Sequence, residues 1–233
     1  MANHKNNCMV CGKPLIYHDS AEDMTCMICG GAFPSNAACE AGHFVCDSCH
    51  SAGSVAFILK VARETTLTDP VAIAREMMAQ PKVHMHGPEH HTLVPAALLA
   101  AYHNAGGEID LERALRVAAQ RGAQVPGGIC GFWGSCGSAI GAGIFVSIVA
   151  GASPLSKEPW GLANSATAQC LARIARYGGP RCCKRNGLLA ILEASRFAKE
   201  HFGVDMAPGK VAACTYHADN SECLGARCPF HPR

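Results

Sequence analysis

From Ser54 onward the chain carries apolar residues at helical spacing, whereas residues 1–50 show almost no apolar periodicity. Val55, Phe57, Ile58 and Val61 fall on one face of a helix. Thr68-Asp69-Pro70 reads as a cap followed by proline at a first helical position, opening a helix over 70–79. A second helix is expected over 93–105, stopped by Gly106-Gly107, and Asp110 caps a third that runs to about Arg121. A Gly/Cys-rich loop at 126–136 leads into an apolar helix from Ala139 to Ala152, too short to span a bilayer and broken by Gly141, Gly143 and Gly151. Further helices are expected at 160–177, ended by Gly178-Gly179-Pro180, and at 186–201, ended by Gly203. The expected fold is a small zinc-ribbon or treble-clef-like metal module followed by a mainly α-helical domain. Its divisions are a module at 1–52, a helical domain at 53–203 and a Cys/His-rich tail at 204–233.

The module replaces periodicity with ligands. Seven of the 15 cysteines lie in the first 50 residues, as Cys8-x2-Cys11, Cys26-x2-Cys29, Cys39-x3-His43 and Cys46-x2-Cys49, with His50 next. A CxxC turn directs two thiolates at one ion, and two such pairs close the tetrahedral shell that zinc prefers. Eight ligands therefore make two sites, for which zinc is expected and iron is the rival. The pairing is sequential (Cys8/Cys11/Cys26/Cys29, then Cys39/His43/Cys46/Cys49) or interleaved, as in RING-type cross-braced domains. The 14 residues between the first two turns suit a ribbon hairpin and favour the sequential form. Structural zinc supplies about 10–16 kcal/mol of apparent binding energy, more than so few apolar residues can contribute by burial.

The segment His84-Met85-His86-Gly87-Pro88-Glu89-His90-His91 gathers four imidazoles and a carboxylate. Gly-Pro sets a turn between its halves that lets His86 and His90 face one another. Glu89 can orient an imidazole, and His84, His86 or His90 can move a proton at neutral pH. Downstream, Cys130 and Cys136 punctuate the glycine-rich loop, Cys170 lies within the expected helix 160–177, and Cys182-Cys183 precede Lys184-Arg185-Asn186. In order and spacing, Cys130, Cys170 and Cys182-Cys183-Lys184-Arg185-Asn186 resemble residues of iron–sulfur serine dehydratases and the related cysteine desulfidases. That resemblance spans 127–190 and implies a [4Fe-4S] cluster held by three cysteines, Cys130 or Cys136 with Cys170 and one of the Cys182-Cys183 pair, which leaves the fourth iron open to a hydroxyl or thiol substrate. It departs from the family at Leu171-Ala172, where the family has Asp-Pro. In the tail, Cys214, Cys223 and Cys228 stand with His217 and His231, and Cys223-x4-Cys228-Pro229 is similar to the cysteine-proline end of a cluster-binding motif. As a whole, with Gly42 to His50 (GHFVCDSCH), HGPEHH and CGFWGSCG, the chain resembles an uncharacterised family of cysteine-rich proteins from anaerobic archaea and bacteria.

Composition narrows the functions. Hydrophobic residues make up 49%, charged residues 16% and aromatics 6%, which fits closely packed helices. A net charge of +2 gives no electrostatic case for nucleic acid or an anionic membrane, although Arg173, Arg176, Arg181, Lys184 and Arg185 cluster in sequence. Cysteines spaced as ligands, with no apolar leader in the opening residues, suggest a reducing cytoplasm. These features suggest an oxygen-sensitive iron–sulfur enzyme that performs elimination or sulfur transfer on a small substrate. In the transfer variant Cys136 or Cys183 carries a persulfide. The alternative is a non-catalytic zinc adaptor that delivers metal or sulfur to a partner protein. An oligomer is compatible with either.

Overall fold

A computed structural model of the chain describes residues 7–232. Among the described residues, two strands and eight α-helices follow one another in sequence. The strands β1 (Leu15–Thr25) and β2 (Ala32–Cys39) form an antiparallel hairpin, with Leu15 opposite Cys39 and Thr25 opposite Ala32 and an irregular step between Tyr17 and Glu22. Helix α1 (Asp47–Glu64) runs through the expected boundary at residue 52, so the last pair of module ligands is rigidly continuous with the helical domain. The end of α1 is buried through Ile58, Val61 and Ala62.

The helical domain is built around α3 (Glu89–Asn104), in which every residue from Glu89 to Tyr102 is buried. A helix that is enclosed on all sides must be the centre of its bundle, and α3 packs against α1, α2 (Pro70–Ala79), α4 (Leu111–Gly122), α6 (Gly137–Val149) and α8 (Cys183–Phe202). The short α5 (Ile129–Phe132) lies within the glycine-rich loop, and α7 (Glu158–Ala175) packs on α6 and α8. The expected caps form. The Asp69 carboxylate accepts from the Val71 N–H at 2.8 Å and Asp110 accepts from that of Arg113 at 3.0 Å, while Gly203 closes α8 in the left-handed region. No helix among the described residues is long and apolar enough to cross a membrane.

Small residues on α6 let its neighbours approach closely. A Cβ at Gly143 would run into the hydroxyl of Thr167 and meet the Ala163 carbonyl at 3.3 Å, both on α7. Gly143→Leu should therefore destabilise the domain by about 1–3 kcal/mol through overpacking, read as a lowered denaturant midpoint with unchanged m-value. A wild-type midpoint would contradict this packing.

Candidate metal and cleft site

The hairpin decides how the module's ligands pair. Because β2 returns antiparallel to β1, Cys39 at its end lies beside the start of β1 and so beside the first CxxC turn. Cys8, Cys11, Cys39 and His43 form one set and Cys26, Cys29, Cys46 and Cys49 the other, with each set's ligand atoms within 4.8 Å of one another. The pairing is thus interleaved, which corrects the sequential expectation. Linker length does not tell whether a chain turns back, and here it does.

The spacing within each set suits a single ion. Cys11 Sγ lies 3.6 Å from Cys39 Sγ, and Cys29 Sγ lies 3.9 Å from Cys46 Sγ. His43 Nδ1 lies 3.5 Å from Cys39 Sγ and 3.9 Å from Cys8 Sγ. A tetrahedral zinc with thiolates at its usual bond length holds sulfurs about 3.8 Å apart. Backbone N–H groups two residues on donate to Cys8, Cys26 and Cys39, from Val10, Ile28 and Ala41 at 3.4, 3.4 and 3.2 Å. Burial opposes charge on Cys26 and Cys39, yet backbone N–H groups, of Cys29, Cys46 and Ile28 for the first and of His43 and Ala41 for the second, outweigh it and bring both thiols down to about 6. In the same sets Cys11 is raised, burial raises Cys46, and the neighbouring thiol of Cys46 pushes Cys49 up to about 12.

Three contacts seat the module on the helical domain. The Gly127 N–H donates to the carboxylate of Asp47 at 2.7 Å, the Arg181 guanidinium stacks over the Tyr17 ring at 5.1 Å, and His50 Nδ1 lies 3.4 Å from Glu89 Oε2. Glu89 is wholly buried, and its other oxygen accepts from the His84 backbone N–H at 2.8 Å and lies 3.0 Å from His84 Nδ1. Burial works against the charge, but the two imidazoles hold the carboxyl well below the usual carboxylate range. His50 Nδ1 and Glu89 Oε2 are both buried and neither completes a hydrogen bond. Together with His84 they form a third set of ligand atoms within 4.8 Å, two imidazoles and a carboxylate of the kind that holds zinc or iron with an open position. Gly87 is required beside them, since a Cβ there would strike Glu89 and approach His50 Cε1 to 2.7 Å.

Between module and helical domain lies a cleft of about 580 Å³, lined by Cys130, Cys136, Cys183, His50, His86 and His91, with Arg181 and Asn186 in its wall. Asn186 Nδ2 donates to Cys136 Sγ at 3.4 Å. Burial raises the thiol of Cys130 and pushes that of Cys183 up to about 12. His91 Nδ1 donates to the Val125 carbonyl at 2.9 Å, which leaves Nε2 as the acceptor, and that edge lies against Gly137 beside Cys136.

Other expected site residues lie elsewhere. His86 does not face His90. It turns to Asn220 and Glu222, both at 3.3 Å, and burial lowers it to about 3. His90 is enclosed, its Nε2 on the His84 carbonyl at 3.0 Å, and burial lowers it to about 4. Cys170 is fully buried with its thiol on the Ala190 carbonyl at 3.6 Å, and it lines neither this cleft nor the smaller cavity that Cys182 faces. The cysteines expected to share one cluster are therefore divided, with Cys130 and Cys183 in the cleft, Cys182 behind it and Cys170 in the core. The basic cluster is also dispersed, since Lys184 and Arg185 are buried and Arg173 pairs with Glu193 at 2.9 Å. In the sequence His50 stands only as the neighbour of a ligand, His91 as one of four histidines, Arg181 as one of a basic cluster and Asn186 as the end of the Cys182–Asn186 element, and the structure brings all four to the cleft. That the last two lie in one wall beside Cys136 comes from tertiary placement.

Residues 58–231 match the profile of the Family of unknown function (DUF5714). The chain belongs to this family. The match takes in the His84–His91 segment, the glycine-rich loop and the tail, and begins after the module's ligands. No curated protein and no solved structure matches the chain, and nothing in these comparisons supports the likeness to serine dehydratases or cysteine desulfidases.

Interleaving makes a stoichiometric prediction. The double variant Cys11→Ala/Cys39→Ala should lose one metal ion, as each single variant does, whereas Cys11→Ala/Cys29→Ala should lose two. Metal analysis of the purified variants checks this, and two ions lost from the first pair would contradict it.

Proposed function

We propose that the protein is a metal-binding enzyme whose cleft performs sulfur transfer on a small substrate, with Cys136 as the carrier. The two module sites hold zinc and act structurally, fixing the hairpin and the start of α1 so that one wall of the cleft exists at all. The observation that carries the reading is the convergence on Cys136. Its sulfur faces the cleft at the N-terminus of α6, receives the Asn186 amide at 3.4 Å, and has the acceptor edge of His91 against the next residue.

In the transfer step the Cys136 proton passes to His91 Nε2 and the thiolate attacks the outer sulfur of a persulfide donor. The donor's S–S bond breaks, its inner sulfur leaves as a thiolate, and Cys136 is left as the persulfide, with no net oxidation. Arg181 offers the charge to hold a carboxylate-bearing donor. The elimination variant fits less well, because it needs Cys130, Cys170 and Cys182 on one cluster. The adaptor reading keeps one point in its favour: Phe132 and Trp133 are exposed at the cleft, which suits a partner protein as the donor.

Incubation with a low-molecular-weight persulfide, followed by peptide mass spectrometry, should place one added sulfur atom on Cys136. Cys136→Ser should abolish transfer to an acceptor thiol, and His91→Gln should slow it on the order of 100-fold. Transfer at the wild-type rate by Cys136→Ser would overturn the assignment.

A further inference from the structure

Behind the cleft, on the other side of the Cys182-Cys183 step, lies a second and smaller cavity of about 40 Å³. Four cysteines from distant parts of the chain line it: Cys182 at the start of α8, and Cys214, Cys223 and Cys228 from the tail. We infer that these four cysteines hold a [4Fe-4S] cluster, a site independent of the cleft chemistry.

Three observations point there. The first is the turn geometry. Tyr216 N–H donates to Cys214 Sγ and Gly225 N–H to Cys223 Sγ, each at 3.4 Å and each from two residues on. This is the arrangement seen at Cys8 and Cys26 in the module. The N–H of Arg185 donates to Cys182 Sγ, also at 3.4 Å. Such donors stabilise thiolate ligands and are a means by which proteins tune clusters.

The second is spacing. Among the described residues, no three of these sulfurs lie within 4.8 Å of one another, as both module sets do. A single ion would draw the sulfurs to about 3.8 Å. Four cysteines lining one cavity, no three of them close enough to share one ion, suit a cube of iron and sulfide, in which each thiolate binds a different iron.

The third is charge. A cluster with four thiolate ligands carries net negative charge and needs buried counter-charge. Lys184 and Arg185 both line the cavity and are both buried, and Arg185 Nη1 has no hydrogen-bond partner. Lys184 Nζ donates to the Met78 carbonyl at 2.9 Å and sits over the Tyr216 ring at 4.2 Å, which fixes its charge in the wall.

With a cysteine on every iron, this cluster has no open position. It therefore does not bind substrate, unlike the three-cysteine cluster that the sequence resemblance implied. Its loading also explains how a tail with only a three-residue 3-10 turn (Gly225–Arg227) is held against α8.

The test is anaerobic reconstitution of the full chain with ferrous iron and sulfide, with iron, sulfide and zinc measured on one sample. The wild type should hold about four iron and four sulfide per chain beside its zinc. Cys214→Ala and Cys223→Ala should each lose the iron and keep the zinc, whose retention reports that the module is folded. Cys130→Ala and Cys170→Ala should keep both. Alkylation of the wild-type holoprotein gives a readout free of any folding defect: Cys182, Cys214, Cys223 and Cys228 should resist labelling until the cluster is destroyed. Iron retained by Cys214→Ala, additional zinc without labile sulfide, or labelling of these four cysteines in the iron-loaded protein would each overturn the inference.

Discussion

A carboxylate taken out of water must find partners that replace its hydration, and Glu89 finds hydrogen bonds for one oxygen while the other meets an imidazole at 3.4 Å without completing one. One oxygen is held by the backbone and ring of His84, on the segment leading into α3, and the other faces His50 on α1. His50 directly follows Cys49, a member of the second candidate metal set. The hairpin module and the helical core thus meet at one buried charge. With Asp47 on Gly127 and Tyr17 under Arg181, that meeting sets the walls of the cleft.

This dependence explains the economy of the module. Its β1 strand is almost wholly exposed and contributes nothing to a hydrophobic core. Two tetrahedral metal sites can supply what such a segment lacks in apolar burial. They need a geometry in which the chain doubles back, and the hairpin register that puts Cys39 beside Leu15 provides it. The last pair of candidate ligands then belongs both to a set that could hold a metal and to the first turn of α1, so order that a metal imposes there would pass without a linker into the helix that packs on α3.

Where local chemistry determines structure, the sequence was legible. Asp69-Pro70 and Asp110 start α2 and α4 where a cap and a proline predict, and Gly203 stops α8. The ligands of the module were readable as a set because CxxC spacing has a direct geometric meaning, but their partition was not. The ribbon hairpin expected between the first two CxxC turns does not form there: that segment is the single strand β1, paired with β2 beyond the second turn, and its largely exposed positions carry no period of two. Helix α3 begins at Glu89 and not at 93, because its polar first turn is buried through partners distant in sequence: Glu89 on His50, and His91 on Val125. The same limit applies to the cysteines of the helical domain. Order and spacing grouped Cys130, Cys170, Cys182 and Cys183, whereas packing places Cys170 in the core, Cys130 and Cys183 in the cleft, and Cys182 with the tail.

If metal in the module builds the cleft through Glu89, removing one module ligand must be felt at the far end of that linkage. Hydrogen exchange on the Cys46→Ala variant, compared with wild type, tests this most directly. The account predicts lost protection in 26–50 and also in 83–91 and 126–136, with the interiors of α3, α6 and α8 still protected. Full protection of 83–91 and 126–136 after the metal is lost would contradict it, as would collapse of protection throughout the helical core.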